Sequence, residues 1–408
     1  MMQQGLKSNW KQFWLLVVIN AFVGSMVGLE RSILSGLGEN IFNINGKTAL
    51  LSFIIAFGTS KALANLLMGK LTLYITRKQV LTIGWIVALP VPFLLMYANS
   101  WSWIIAANIL LGINQGLAWS ATVIMKIDLV GEKNRGLAMG INEFAGYLAV
   151  GLAAYLAAAI AHEKGFAFYP FIPGIFFSVA GFLLTLFFIR DTTAFVHHEA
   201  KESRIPLLKN IWKASSYQHR NMGSVTINGL VNNLNDGIVW GLLPILLLQK
   251  NYSLPQIGLV AGMYPVVWGL GQLFTGKLGD IYCKKQLITG GMMLQAVALF
   301  VITVASAIWV SVLAMIILGL GTALVYPNFL TVIAENTHPN QRAQSMSIFR
   351  FWRDSGYVIG AVLSGIIADR FGINAAFFTV TLITLGAGVL AEVRMCCTTK
   401  LIWKSEVC

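Results

Sequence analysis

Residues 69–82 read GKLTLYITRKQVLT, and residues 276–289 read GKLGDIYCKKQLIT. Both open on Gly-Lys-Leu and close on Lys-Gln and Thr, at an offset of 207 positions. At that same offset Leu111-Gly112 matches Leu318-Gly319, and Arg135, Met139 and Ile141 match Arg342, Met346 and Ile348. Ile19-Asn20 and Val23 match Ile227-Asn228 and Val231 at 208. Several matches in one register mark a duplicated unit rather than chance.

What surrounds the repeat decides its environment. Residues 79–97, 286–304 and 373–391 carry no charge over stretches long enough to cross a hydrocarbon core of about 30 Å as helices. The chain of 408 residues is 57% hydrophobic and 11% charged, with a mean hydropathy of +0.72. A soluble domain keeps roughly a quarter of its residues charged. Lipid offers the backbone no hydrogen-bond partner, so the spanning form is the helix. Twelve spans are predicted near 12–36, 48–69, 79–97, 102–125, 136–161, 167–189, 222–246, 256–276, 286–304, 308–334, 345–368 and 373–393.

The net charge of +13 tests the topology. With the N-terminus inside, inner segments hold 21 of the 29 Lys and Arg, and outer loops hold only Lys47, Lys164, Lys250 and Arg370. This asymmetry places both termini in the cytoplasm. The basic balance then reports orientation and contact with anionic lipid, not a nucleic-acid partner. The first span follows MMQQGLKSNWKQFW without a small-residue cleavage site, so it is expected to be retained. Cys283, Cys396, Cys397 and Cys408 all fall on the inner side, where reduced thiols are expected and a disulfide is not.

The expected organisation is a first six-helix bundle over 1–189, a cytoplasmic linker over 190–221, a second bundle over 222–394 and a cytoplasmic tail over 395–408. Ile205–Ala214 is expected to form a short interfacial helix within the linker. The adjacent pair His197-His198 is read as solvated linker rather than a metal site.

These features resemble the major facilitator superfamily along nearly the whole chain. The family carries a Gly, then an Asp and a basic cluster, between its second and third helices and again between its eighth and ninth. Here the second copy is Gly276, Asp280, Lys284 and Lys285, and the resemblance implies that Asp280 sits at an inner gate facing a helix N-terminal dipole. The first copy keeps Gly69, Arg77 and Lys78 but has Leu73 where the Asp belongs. Gly112 stands where proton-coupled drug exporters of the family carry an Arg, and residues 140–151 lack their proline. Gly28–Arg31, Asn232–Gly237 and Arg350–Tyr357 are similar to a subgroup of poorly characterised bacterial permeases. Some magnetosome-associated permeases are similar there, which brings metal chelates into the range of cargoes.

Ionisable groups inside a bilayer are expensive and point to function. Glu30, Arg31, Lys61, Glu143, Asp236, Arg350, Arg353 and Asp354 fall within spans. Together with Asp280 they are the candidates for coupling and gating. Asp236 is the first candidate proton carrier, with Glu30 or Glu143 second, because burial raises a carboxyl toward physiological pH. Glu143 and Arg350 align in the repeat, so they form either a latch between the two bundles or, through the Arg, a contact to an anionic substrate. An Arg350–Asp354 pair one turn apart on their own helix is the structural alternative.

Asn228, Asn232, Asn235 and Asp236 share one helix face. With Asn20, Asn108, Asn114, Gln115, Tyr326 and Asn328 they are candidates to line a central cavity, where amides suit a polar solute. The alternative is hydrogen-bonded glue between helices. Pro265 and Tyr326-Pro327 are expected to interrupt their helices. No nucleophile–base, metal or phosphate-loop spacing occurs, so neither an enzyme nor an ATP-driven pump is expected, nor any cofactor. The reading is a secondary active transporter working by alternating access and coupled to protons or another ion. Its cargo is a small polar or anionic solute, metal chelates included. An exporter of hydrophobic drugs and a sensor of the same fold are the alternatives. The expected setting is the cytoplasmic membrane, as a monomer.

Overall fold

In a computed structural model the described residues are 4–31, 33–34, 37–38, 41–43, 52–131, 134–202, 205–252, 254–397 and 400–403. Lys47, Cys408 and the side chain of Arg31 lie outside them. Helices dominate, and among the described residues no named strand occurs, only an isolated bridge between Tyr282 and Lys400.

The helices are α1 (Trp10–Arg31), α2 (Ser52–Leu71), α3 (Arg77–Met96), α4 (Trp101–Val130), α5 (Arg135–Lys164), α6 (Tyr169–Phe188), α7 (Thr193–Glu202) and α8 (Arg220–Gln249). They continue as α9 (Leu254–Ile281), α10 (Lys284–Val304), α11 (Ile308–Glu335), α12 (Pro339–Phe371) and α13 (Ile373–Arg394). Among the described residues nine are long and apolar enough to cross a membrane: α1 to α6, α10, α11 and α13. At about 1.5 Å per residue, α8, α9 and α12 also exceed the bilayer core in length.

Local chemistry sets the ends. Thr76 caps α3 by accepting from the Gln79 N–H at 3.3 Å, while the Gln79 side chain accepts from the Thr76 N–H at 2.8 Å. His219 caps α8 through the Met222 N–H at 3.3 Å. Pro339 occupies the first turn of α12, where its missing N–H costs nothing. That start lies six residues before the predicted span.

Three expectations need correction. Pro265 and Pro327 lie inside α9 and α11 without ending them, since neighbouring groups can absorb a lost backbone bond. The linker helix is α7, ahead of the predicted place, and Ile211–Lys213 makes one turn before a wider π-type turn over Ala214–Gln218. Cys283 and Cys397 form a disulfide, with Cα atoms 5.5 Å apart and 114 residues between them in sequence. The α9–α10 loop and the segment after α13 are adjacent in space, which sequence distance hides. Cys396 remains a free thiol.

The chain separates into two compact units, residues Met1–Lys133 with Ala145–Ser203, and Asn134–Phe144 with Arg204–Cys408. The first eleven residues around the start of α5 thus pack with the second half of the chain. In the first unit Trp85 is fully buried against Gly181 of α6. In the second, α8 packs on α12 and α13, α9 on α11, and α10 on α11 and α13, with Phe329 and Phe349 edge to face at 6.0 Å.

Candidate functional site

The second unit buries a carboxylate among tyrosines. Asp236 of α8 accepts hydrogen bonds from the Tyr264 hydroxyl of α9 and, at 3.3 Å, from the Tyr357 hydroxyl of α12. Thr322 of α11 sits 3.3 Å from the Tyr264 oxygen. Three helices therefore meet at one carboxyl group, and α11 reaches the tyrosine oxygen beside it. A row of rings continues from it: Trp240 to Tyr264 at 6.2 Å, Tyr264 stacked on Trp268 at 5.6 Å, and Trp268 edge-on to Tyr326 at 6.3 Å.

Beneath Tyr326 the Arg353 guanidinium lies 4.0 Å from the ring centre. Arg353 also donates to Asp354 at 3.2 Å, and Asn233 donates to the same oxygen at 3.3 Å. Arg350 reaches Glu143 instead, Nη2 to Oε1 at 3.8 Å, and Asn142 donates to that oxygen at 2.6 Å. The charges of α12 thus split between two carboxylates. Asp354 pairs with the adjacent Arg353 rather than with Arg350 one turn away.

The candidate cavity amides are largely engaged with the helices around them. Asn232 and Asn235 both donate to Gln295 of α10, at 3.0 and 2.9 Å, and Thr384 of α13 donates to Asn235 at 2.7 Å. Asn228 and Asn328 donate to the carbonyls of Ser224 and Leu324 on their own helices. In the first unit Asn20 accepts from Thr122 at 3.0 Å, Asn108 donates to the Ile104 carbonyl, Asn114 to that of Gly84 and Gln115 to that of Val23. Glu30 is buried and lines a narrow cleft with Val27, Phe53, Phe57 and Asn108. Lys61 lies over the Phe57 ring at 5.6 Å and Trp119 at 6.0 Å.

At the Gly276 repeat, Asp280 accepts from the N–H groups of Gly136 (2.9 Å) and Leu137 (3.2 Å), the first turn of α5. The helices touch there backbone to backbone. A Cβ on Gly136 would lie 2.2 Å from the Gly276 carbonyl oxygen, so no larger residue fits unshifted. At the Gly69 repeat Leu73 is exposed, and Arg77 pairs with Asp128 at the end of α4 at 2.7 Å. Thr192 donates to Asp128 at 2.9 Å. Lys78 and Thr193 donate their N–H groups to Asp191. Burial pushes the Asp191 carboxyl up, but these bonds and the nearby Arg77 outweigh it and hold it below the usual carboxylate range.

A profile of the major facilitator superfamily matches residues 13–219 and 225–399. The chain belongs to the major facilitator superfamily. It is a multi-pass membrane protein with the two-bundle fold of that family. The multidrug resistance protein MdtH of Aeromonas hydrophila is 30% identical over 148 residues, 35% of this chain and 36% of the relative. The proton-coupled antiporter flippase LtaA of Staphylococcus saprophyticus is 22% identical over 336 residues, 79% of each chain. The chain spans about a third of the length of the MdtH relatives it matches. The human organic anion transporter MFSD10 superposes with a TM-score of 0.78 at 15% identity, covering 94% of this chain and 99% of that one. The proton:xylose symporter XylE gives 0.71 at 13% identity, covering 93% and 95%.

Within this family frame, several contributors carry no charge signal in the sequence. Tyr264, Tyr357, Thr322 and Gln295 are ordinary residues of apolar helices until tertiary contact gives each a polar partner. Asp128, near the end of α4, was not among the candidates read from the sequence.

Proposed function

We propose that the chain is a proton-coupled secondary carrier of a small organic solute, with Asp236 as the group that takes up and releases the proton. The observation behind this reading is the buried Asp236 carboxylate held by two tyrosine hydroxyls from two other helices. An ionised carboxylate accepts from both; a protonated one becomes a donor and gives up part of that acceptor capacity. Protonation therefore loosens the link of α8 to α9 and α12, so proton uptake and helix packing change together. Asp280 on α5 and Arg77 on Asp128 serve as gating contacts, each tying a basic-loop helix to another helix end. The Glu143–Arg350 pair acts as a latch.

The proposed cargo is polar or anionic, metal chelates included, and the proposed setting is the cytoplasmic membrane with both termini inside. The Lys and Arg asymmetry supports that orientation. Export of an amphipathic, ring-bearing compound is a second reading, favoured by the row Trp240, Tyr264, Trp268 and Tyr326. The names of the MdtH and LtaA relatives point the same way.

The experiment has two stages. Thermal stabilisation of the detergent-purified protein by a panel of metal chelates, organic anions, amino acids, sugars and amphipathic cations names the ligand class. Proteoliposomes with an imposed pH gradient then compare wild type with Asp236→Asn. The variant is expected to retain exchange of labelled solute and to lose gradient-driven accumulation. Accumulation at the wild-type level would remove Asp236 from the coupling role.

A further inference from the structure

The segment after α13 does not trail away from the second unit. Cys397 is joined to Cys283, the residue preceding α10. Around that bond the Cys283 N–H donates to the Lys400 carbonyl at 2.8 Å, and Lys400 bridges to Tyr282 with its ammonium 5.4 Å from the ring centre. The Gln286 side chain clasps the segment from both sides: it accepts from the Ile402 N–H at 2.6 Å and donates to the Trp403 carbonyl at 2.5 Å. Ile402 and Trp403 lie over an apolar groove formed by Leu287, Met293, Leu294 and Val297. Residues 395–397 and 400–403 therefore act as a strap across the start of α10.

One side of the strap faces water. A polar cavity of about 130 Å³ is lined by Lys284, Lys285, Asn221, Glu335, Met395 and the free thiol Cys396. It lies beside the disulfide, whose two cysteines are buried. Its two ammonium groups favour the approach of an anionic thiolate.

We propose that the Cys283–Cys397 bond is a redox-cleavable pin on this strap. The inference rests on the orientation proposed above, which puts the strap in a compartment where lasting disulfides are uncommon and those present are transient or redox-sensing. A dithiol reductant supplies two electrons and two protons. Its thiolate attacks one sulfur of the pin, the S–S bond breaks through a mixed disulfide, two protein thiols form, and the reductant leaves as its own disulfide. The strap is then held by its hydrogen bonds and by Ile402 and Trp403 alone. Its release frees the α9–α10 loop and exposes the start of α10, including Lys284, bonded to Glu335 at 3.1 Å, and Lys285, 3.5 Å from Glu392.

The test uses the full chain purified without reductant. Peptide mass spectrometry after alkylation should find Cys283 and Cys397 cross-linked and Cys396 alkylated. Trypsin cleavage after Lys400 should then run ~10-fold faster or more once dithiothreitol is added, because a cross-link suppresses local opening. Cys397→Ser should cleave fast with or without reductant, and Cys283→Ser should do the same if the first variant fails to fold. Two alkylated thiols at Cys283 and Cys397 before reduction would overturn the pin. A cross-linked peptide with unchanged cleavage on reduction would make the bond structural only and overturn the switch. Labelling of Cys396 in intact cells by a membrane-impermeant maleimide would overturn the orientation, and the proposal with it.

Discussion

Arg350 places its Nη2 3.8 Å from Oε1 of Glu143, and the two occupy equivalent positions of the internal repeat, 207 residues apart. Both side chains are buried. An ion pair taken out of water is a poor source of net stability, but breaking one leaves a charge without its counterpart. Each partner therefore holds the other in place.

A double-mutant cycle tests this. Glu143→Gln and Arg350→Gln should each cost about 3–5 kcal/mol, and the double variant less than their sum by ~0.5–3 kcal/mol. Unfolding midpoints in detergent read the effect. Additive losses would mean that the two residues do not act on each other.

Asp128 and Asp191 both hold the start of α3 at the Gly69 repeat, through the Arg77 side chain and the Lys78 N–H, and they should not contribute equally. Asp128 is fully buried on Arg77, so Asp128→Asn should cost about 3–5 kcal/mol. Asp191 is bound chiefly by backbone N–H groups near water, so Asp191→Asn should cost only about 1 kcal/mol. The same midpoint assay decides, and equal losses would reject the ranking.

Gln272 of α9 is fully buried, and among the described residues neither of its polar side-chain atoms has a hydrogen-bond partner. Desolvating such groups without partners costs roughly 1–3 kcal/mol. Gln272→Met, of similar length, should raise the unfolding midpoint by a few degrees. A lowered midpoint would show that the amide is satisfied in the folded protein.

His219 caps α8 with a ring nitrogen that must be unprotonated to accept from Met222. Burial first, then the positive charge of Arg394, hold its imidazole below the usual value near 6.5. The folded state thus resists protonation more than the unfolded chain does. The resulting stability is fully present above about pH 6.5 and is lost as pH falls through the lowered folded value. Midpoints from pH 7.5 down to 5 should decline more steeply in wild type than in His219→Asn, which caps without titrating. Parallel curves would remove this residue from the acid response.

For Asp280 the family resemblance implied a carboxylate facing a helix N-terminus, and in the structure it accepts from the Gly136 and Leu137 N–H groups at the start of α5. Asp236 was readable as a charge in an apolar span but not as an arrangement, since Tyr264 and Tyr357 are unremarkable there. The stripe Asn228, Asn232, Asn235 was readable as a face. Its partners Gln295 and Thr384 lie 60 and 149 positions from Asn235, and no periodicity reports such distances.

By itself the sequence determined that this chain is a bundle of membrane helices built from two related halves. Uncharged runs of spanning length leave the backbone no other way to satisfy its hydrogen bonds in lipid. It also marked which charges are too costly to be incidental. Only the tertiary structure decided who holds them. It gave Arg350 to Glu143 rather than to Asp354, Arg77 to Asp128 in the absence of an acid at 73, and Cys283 to Cys397 where free thiols were expected. Burial cost is local and can be read along a chain. Pairing depends on which helices come side by side, and packing alone fixes that.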